Sequence, residues 1–260
     1  MALDVHLQRL YDGVELIDGW GEPRYGKLCI MSLVAFLAGE RHGDRPQAAS
    51  PLIRDFAVPI NDGMDTPMRQ RLKAFAPRII GTQDGRDRER AELLYRAMLD
   101  EVLPEMLKDV HAHSRERPRE KSAEQLFLMW PELREQAVAR LLVTLQCLDT
   151  GDSRMVEATR AMAQAYRDDA HSAMAESAGL LFMLAGRNAD GPTRRTWYWT
   201  KAIELLDRLC DVGADGRQPA VRRDRVRELD ATLEARRAAW AARMRARGAG
   251  DGSPQPLPGR

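Results

Sequence analysis

From Leu28 to Ala38 the chain reads Leu-Cys-Ile-Met-Ser-Leu-Val-Ala-Phe-Leu-Ala, an eleven-residue run with Ser32 as its one polar position. The run is too short to cross a bilayer, which takes about 20 residues in a helix. A segment apolar on every side has to be enclosed by the rest of the chain, so it predicts a buried core helix over Lys27–Ala38. Gly39 follows at the position where a helix most readily stops.

The remaining sequence supplies helices to enclose it. Hydrophobic residues are 44% and charged residues 30% of the 260, which excludes a wholly disordered chain. Aromatics are 6%, and Val and Ile are scarce beside Ala, Leu and Met, which argues against a sandwich or barrel. Ser50-Pro51 is an N-cap with proline at the first helical position; it opens a helix toward Ile60, with Pro59 expected to kink or end it and Asn61-Asp62-Gly63 to turn. Thr66-Pro67 repeats the signal for a helix reaching about Phe75. Leu94, Met98, Val102, Met106 and Val110 form one stripe over 86–110, in which Pro104 is expected to introduce a kink. Ser122-Ala123-Glu124-Gln125 fits a capping box. Ser153–Leu184 reads as one long alanine-dotted helix closed by Gly186; Pro192 and Pro219 open two more. Near the start, Gly13–Gly19 has room for a short strand between glycine turns.

The fold class expected is therefore all-α. A compact helical module over 1–110, with a short β-hairpin as an option at its start, precedes a linker over 111–121. An Ala-rich helical bundle over 122–216, a basic C-terminal helix over 217–247 and a disordered Pro/Gly tail over 248–260 complete the chain. Met1–Leu10 has no apolar core of a secretory signal, and three cysteines (Cys29, Cys147, Cys210) cannot build a disulfide framework, so a cytoplasmic, reducing location is expected.

At +1 the net charge carries no message, but its distribution does. Residues 217–247 hold ten arginines and four acids, a segment of +6 set against a body of −5. Arg222, Arg223, Arg225, Arg227, Arg236 and Arg237 are the candidate binding residues. Such a helix can track phosphates, meet anionic lipid or dock on an acidic protein. Val221, Val226, Leu229, Leu233 and Trp240 equally allow it to pack on the bundle with its arginines in water. Of 40 basic residues 35 are arginine, a bias better ascribed to genome composition than to function.

Catalytic candidates are few. Cys29 opens the apolar helix, where a first-turn thiol would feel the positive helix end and become nucleophilic; flanked by Leu28 and Ile30, it also fits an inert core residue. Glu40, His42 and Asp44 form the densest polar set one loop away, and with Cys29 they could shape a thiol or carboxylate site. Glu40 or Asp44 could instead brace the loop by accepting backbone N–H groups around Pro46. Their spacing matches no ligand signature, so no metal is assigned. His111 and His113 fall in the expected linker and His171 within a long helix, all read as solvated. Phosphate-loop, dinucleotide and common hydrolase motifs are missing, and no cofactor is implied. In Trp197-Tyr198-Trp199 the two indoles point about 200° apart on a helix, so one is expected in the core, with Arg194 or Arg195 free to stack on a ring.

Gly26, Cys29, Met31, Ala35 and Ala38-Gly39-Glu40, then Asp44-x-Pro46, Ser50-Pro51-x-Ile53, Asn61-Asp62 and Pro77-Arg78-Ile79-Ile80-Gly81-Thr82, together resemble a bacterial and phage-associated protein family. The similarity covers about 26–82, and more loosely Ala202–Asp207. Members often carry a second cysteine before the Ser-Pro pair; Ala48 and Ala49 stand here, which weakens any two-thiol site. The resemblance implies no activity. The leading expectation is a non-catalytic helical interaction protein, with a protein partner or self-association preferred and nucleic acid as the rival partner through the C-terminal helix.

Overall fold

The structure, a computed structural model, describes residues 11–113, 153–215 and 220–249. The expected capping box at Ser122, Cys147, Pro219 and the tail from 250 lie outside them, as does 114–121 of the expected linker.

The strand expected near Gly13–Gly19 is β1 (Glu15–Leu16), and two more short strands join it, β2 (Gly21–Glu22) and β3 (Lys27–Leu28). Their order is β1-β3-β2; β3 runs parallel to β1, placing Leu28 beside Leu16, and antiparallel to β2. The Gln70 side chain accepts from Leu16 N–H at 2.9 Å and donates to its carbonyl at 2.8 Å, pairing with β1 as a fourth strand would. Because Lys27 and Leu28 are held extended by this sheet, the buried helix starts at Ile30, three residues later than the apolar run alone suggests.

That helix, α1 (Ile30–Ala38), is buried from Ile30 through Leu37. Gly39 ends it with φ 79°, a left-handed conformation that an L side chain would strain, and Glu40 N–H closes onto the Ala35 carbonyl at 2.9 Å. In α2 (Pro51–Gly63) the Ser50 hydroxyl caps Ile53 N–H at 3.2 Å, as expected. Pro59 does not end the helix. One missing N–H is outweighed by an apolar face of Leu52, Ile53, Phe56, Ala57 and Ile60, all buried, and by Asn61 in the last turn. The Asn61 amide donates to Ile17 O at 2.9 Å and accepts from Ile30 N–H at 3.3 Å, tying sheet, α1 and α2 together.

Asp65, not Thr66, caps α3 (Thr66–Gln70), followed by a 3-10 turn (Arg71–Phe75) and α4 (Ala76–Ile79). The long amphipathic stretch divides into α5 (Asp87–Ala97), a π-helical segment (Met98–Val102) and α6 (Leu103–His113). The π-segment abuts Pro104, where the missing N–H disturbs the ladder. His111 and His113 thus belong to α6 rather than to a linker.

The helix expected over Ser153–Leu184 is two, α7 (Ser153–Arg167) and α8 (His171–Asn188). Asp169 adopts φ 55° and Ala170 N–H bonds the Ala165 carbonyl at 2.9 Å, a left-handed stop that sequence periodicity does not reveal. His171 therefore heads α8, 3.7 Å from the Asp169 carboxylate, instead of lying mid-helix. Gly186 lies inside α8 and terminates nothing: a Cβ there would come 2.3 Å from the Trp199 ring. The last elements are α9 (Gly191–Asp211) and α10 (Arg223–Ala249).

The helices share one buried cluster extending from Val14 to Leu233. At its centre α8 crosses α2, with Phe56 and Phe182 edge to face at 6.0 Å and Gly179 so close that a Cβ would meet the Phe56 carbonyl at 2.8 Å. Tyr95 of α5 stacks on Tyr166 of α7 at 3.8 Å. The all-α class holds, with the small sheet at its start.

Candidate functional site

Two regions were singled out by the sequence, and they fare differently. Cys29 is the N-cap of α1, with its Sγ accepting from Ser32 N–H at 3.3 Å and lying 3.2 Å from the Ser32 hydroxyl. It is only 5% exposed. Burial pushes its pKa up, outweighing the Ser32 hydrogen bonds, and nearby Asp44 adds to the rise. The helix-terminus activation expected for a nucleophile is overridden by desolvation.

The Glu40 carboxylate accepts from Gln47 N–H at 2.7 Å and Ala48 N–H at 2.8 Å, the loop-bracing role. His42 is exposed and its ring nitrogen is 3.1 Å from the Gly21 carbonyl, away toward β2. Asp44 is half-buried and acts electrostatically on Cys29 and on Arg54. Of the four, only Asp44 acts on Cys29, through charge alone, while Glu40 and His42 engage backbone. Among the described residues no group of three or more His, Cys, Asp or Glu side chains is placed to hold a metal ion.

Ser50, Ile79, Gly81 and Thr82 meet at a structural junction. Thr82 Oγ1 accepts from Ser50 N–H at 2.8 Å and donates to Ile79 O at 2.7 Å, and Gly81 N–H bonds the Ala48 carbonyl. Ser50 Oγ reaches Asp87 at 2.5 Å. Beside them Arg90 is fully buried: its guanidinium meets both Asp84 oxygens at 2.7 Å, the Thr82 and Val212 carbonyls at 2.9 Å and the Leu209 carbonyl at 3.2 Å. Arg78 pairs with Asp207 and Asp211 of α9. Sequence reading missed this junction, for its partners are up to 133 residues apart.

At a second junction, Arg194 bonds Asp109 at 2.7 Å and Glu105 at 3.0 Å while stacking over Trp197 at 4.5 Å and Tyr198 at 5.0 Å. Trp199 is buried and Trp197 half-buried, so one indole does enter the core. Burial, reinforced by Asp109, pushes the Tyr198 phenol well above its ordinary range.

The arginine-rich helix α10 is anchored at its root and open beyond it. Arg222 N–H bonds the Leu37 carbonyl at 2.8 Å, carrying the chain onto the end of α1. Val226, Leu229 and Leu233 are buried, the last against Gly13 and Gly26. Arg222 pairs with Asp224, and Arg225 pairs with Glu228 and lies 5.3 Å over the Phe36 ring. Arg223 and Arg227 face solvent. Arg236 covers the exposed Tyr25 ring at 4.8 Å, and Arg237 lies against Gly13. One turn farther, Trp240 is 64% and Met244 47% exposed. Trp240 thus does not share the packed face with Val226, Leu229 and Leu233 as the sequence suggested; by its position the helix has run past the body. Tyr25 is the residue missed here, and its one sequence signal was being an aromatic in a glycine-rich turn.

Comparison of the chain with protein-family models, curated proteins and solved structures yields no match. Among the described residues no helix is long and apolar enough to cross a membrane.

Proposed function

We propose that the protein is a non-catalytic helical docking protein whose recognition element is the outer half of α10. The observation that carries this reading is the division within one helix: Val226, Leu229 and Leu233 are buried, while Trp240 and Met244 are exposed beside Arg236, Arg237, Arg243 and Arg245. Charge divides the same way. Arg223–Glu234 holds three arginines and four acids; Ala235–Ala249 holds five arginines and no acid. An exposed indole costs solvation in water, and a packed, nearly charge-balanced root holds it outward at a fixed angle. The buried free thiols Cys29 and Cys210 support work in a reducing compartment such as the cytoplasm.

The test compares the full chain with one ending at Arg237, which keeps the whole root. Thermal midpoints should agree, and association, read by sedimentation of the purified chain and by capture of partners from cell extract, should be lost on truncation. Equal association of both chains, or none by either, overturns the reading.

A further inference from the structure

Resting on that reading, we infer that the outer half of α10 binds single-stranded nucleic acid, with its arginines on phosphates and Trp240 stacked on a base. The first support is charge: beyond Glu234 every ionisable side chain of the helix is an arginine. Arg243 makes no ion pair or hydrogen bond with the described residues, and Arg245 makes only a 3.4 Å contact to the Ala241 carbonyl of its own helix. These guanidinium groups are available to phosphate oxygens, their best geometric match among anions.

The second support is where the aromatic ring stands among those charges. At about 100° per residue, Arg236, Arg237, Trp240, Arg243 and Met244 fall within about 120° of one another around the helix. Ala238, Ala241, Ala242 and Arg245 make the opposite side. A helix lying in a membrane surface separates its apolar residues from its basic ones, with the arginines opposite the rings. Here cation and ring are interleaved on one face, the pattern that lets a strand place successive phosphates on guanidinium groups and an unstacked base on an indole. Tyr25, 47% exposed and holding the Arg24 guanidinium at 4.7 Å and that of Arg236 at 4.8 Å, continues the interleaving of cation and ring toward the body. A duplex keeps its bases paired and leaves the indole without a stacking partner, so the strand is the better fit.

The experiment titrates the purified full chain into fluorescein-labelled oligothymidine and oligouridine, a labelled duplex, and phosphatidylserine vesicles, over a range of salt. Strand binding is expected, with log K falling against log salt at a slope of about −2 for the three arginine contacts of that face, Arg236, Arg237 and Arg243. Arg237→Gln and Arg243→Gln together should bring that slope to about −1, and Trp240→Ala should weaken strand binding on the order of tenfold. The exposed Arg88→Gln, which removes one charge from α5, should leave both unchanged. Far-UV circular dichroism of each variant confirms that the helices are kept. Three results overturn the inference: no strand binding, strand binding indifferent to these substitutions, or vesicle binding alone. A concentration-dependent dimer abolished by the same substitutions, without strand binding, would also overturn it while leaving the docking reading in place.

Discussion

Cys29 shows how a single residue's surroundings decide between two chemistries that the sequence leaves open. Position at a helix start favours a thiolate; enclosure by the core opposes it, and enclosure wins. Cys210 is the stronger case, its thiol pushed by burial up to about 12. Iodoacetamide at neutral pH should therefore leave both thiols unmodified in the native protein and label both in urea, read peptide by peptide by mass spectrometry. Labelling of native Cys29 at the rate of a free thiol would contradict its burial. Linkage gives the matching pH dependence. In the unfolded chain Cys210 loses its proton near the ordinary thiol value of about 8.5, whereas the folded chain holds it up to about 12. The folded state binds more protons across that window, so stability should be flat below it and fall as pH rises through it. Cys210→Ser or Cys210→Ala should flatten that part of the urea-midpoint profile.

At the scale of elements, what the sequence shows best is whatever is local. The Ser50 cap, the Gly39 stop, the proline starts of α2 and α9 and the apolar stripe of α5 to α6 each depend on residues within a few positions, and each is found. The failures have distant causes. Pro59 is tolerated because a buried face and Asn61 hold α2 through it, and the break between α7 and α8 is made by the backbone of Asp169 with no glycine to announce it. The Arg90 and Arg194 junctions, and the Tyr25–Arg236 stack, join segments that no spacing rule connects. Gly186 condenses the lesson. By its type it signals a helix end, and in the fold it is where α9 presses its tryptophan ring against α8. Gly186→Ala, which adds helix propensity at an ordinary site, should here destabilise by about 1–3 kcal/mol because the ring has no room to yield. A urea midpoint at or above that of the parent would show that the contact is loose.

On the scale of the whole molecule, Arg90 is the fully buried side chain that ties α5 to the end of α9. Its guanidinium is fully buried, and four of its oxygen partners come from Asp84 and the Thr82 and Val212 carbonyls. Arg90→Ala should cost about 3–5 kcal/mol, because it strands a half-buried carboxylate and three carbonyls together. Arg90→Lys should recover part of that loss, as one ammonium cannot reproduce the bidentate fork. Both are read as shifts in urea midpoint, and a loss under about 1 kcal/mol for Arg90→Ala would show that the junction is not held by this group. The bond to Val212 spans 122 residues of chain. At roughly 5–20 residues per second of translation, Arg90 leaves the peptidyl-transferase centre roughly 6–24 s before its last acceptor has even been polymerised. For that interval Arg90 has Asp84 and the Thr82 carbonyl to bind but lacks the Leu209 and Val212 carbonyls, so the side of its guanidinium that α9 will cover stays in water until α9 has been made.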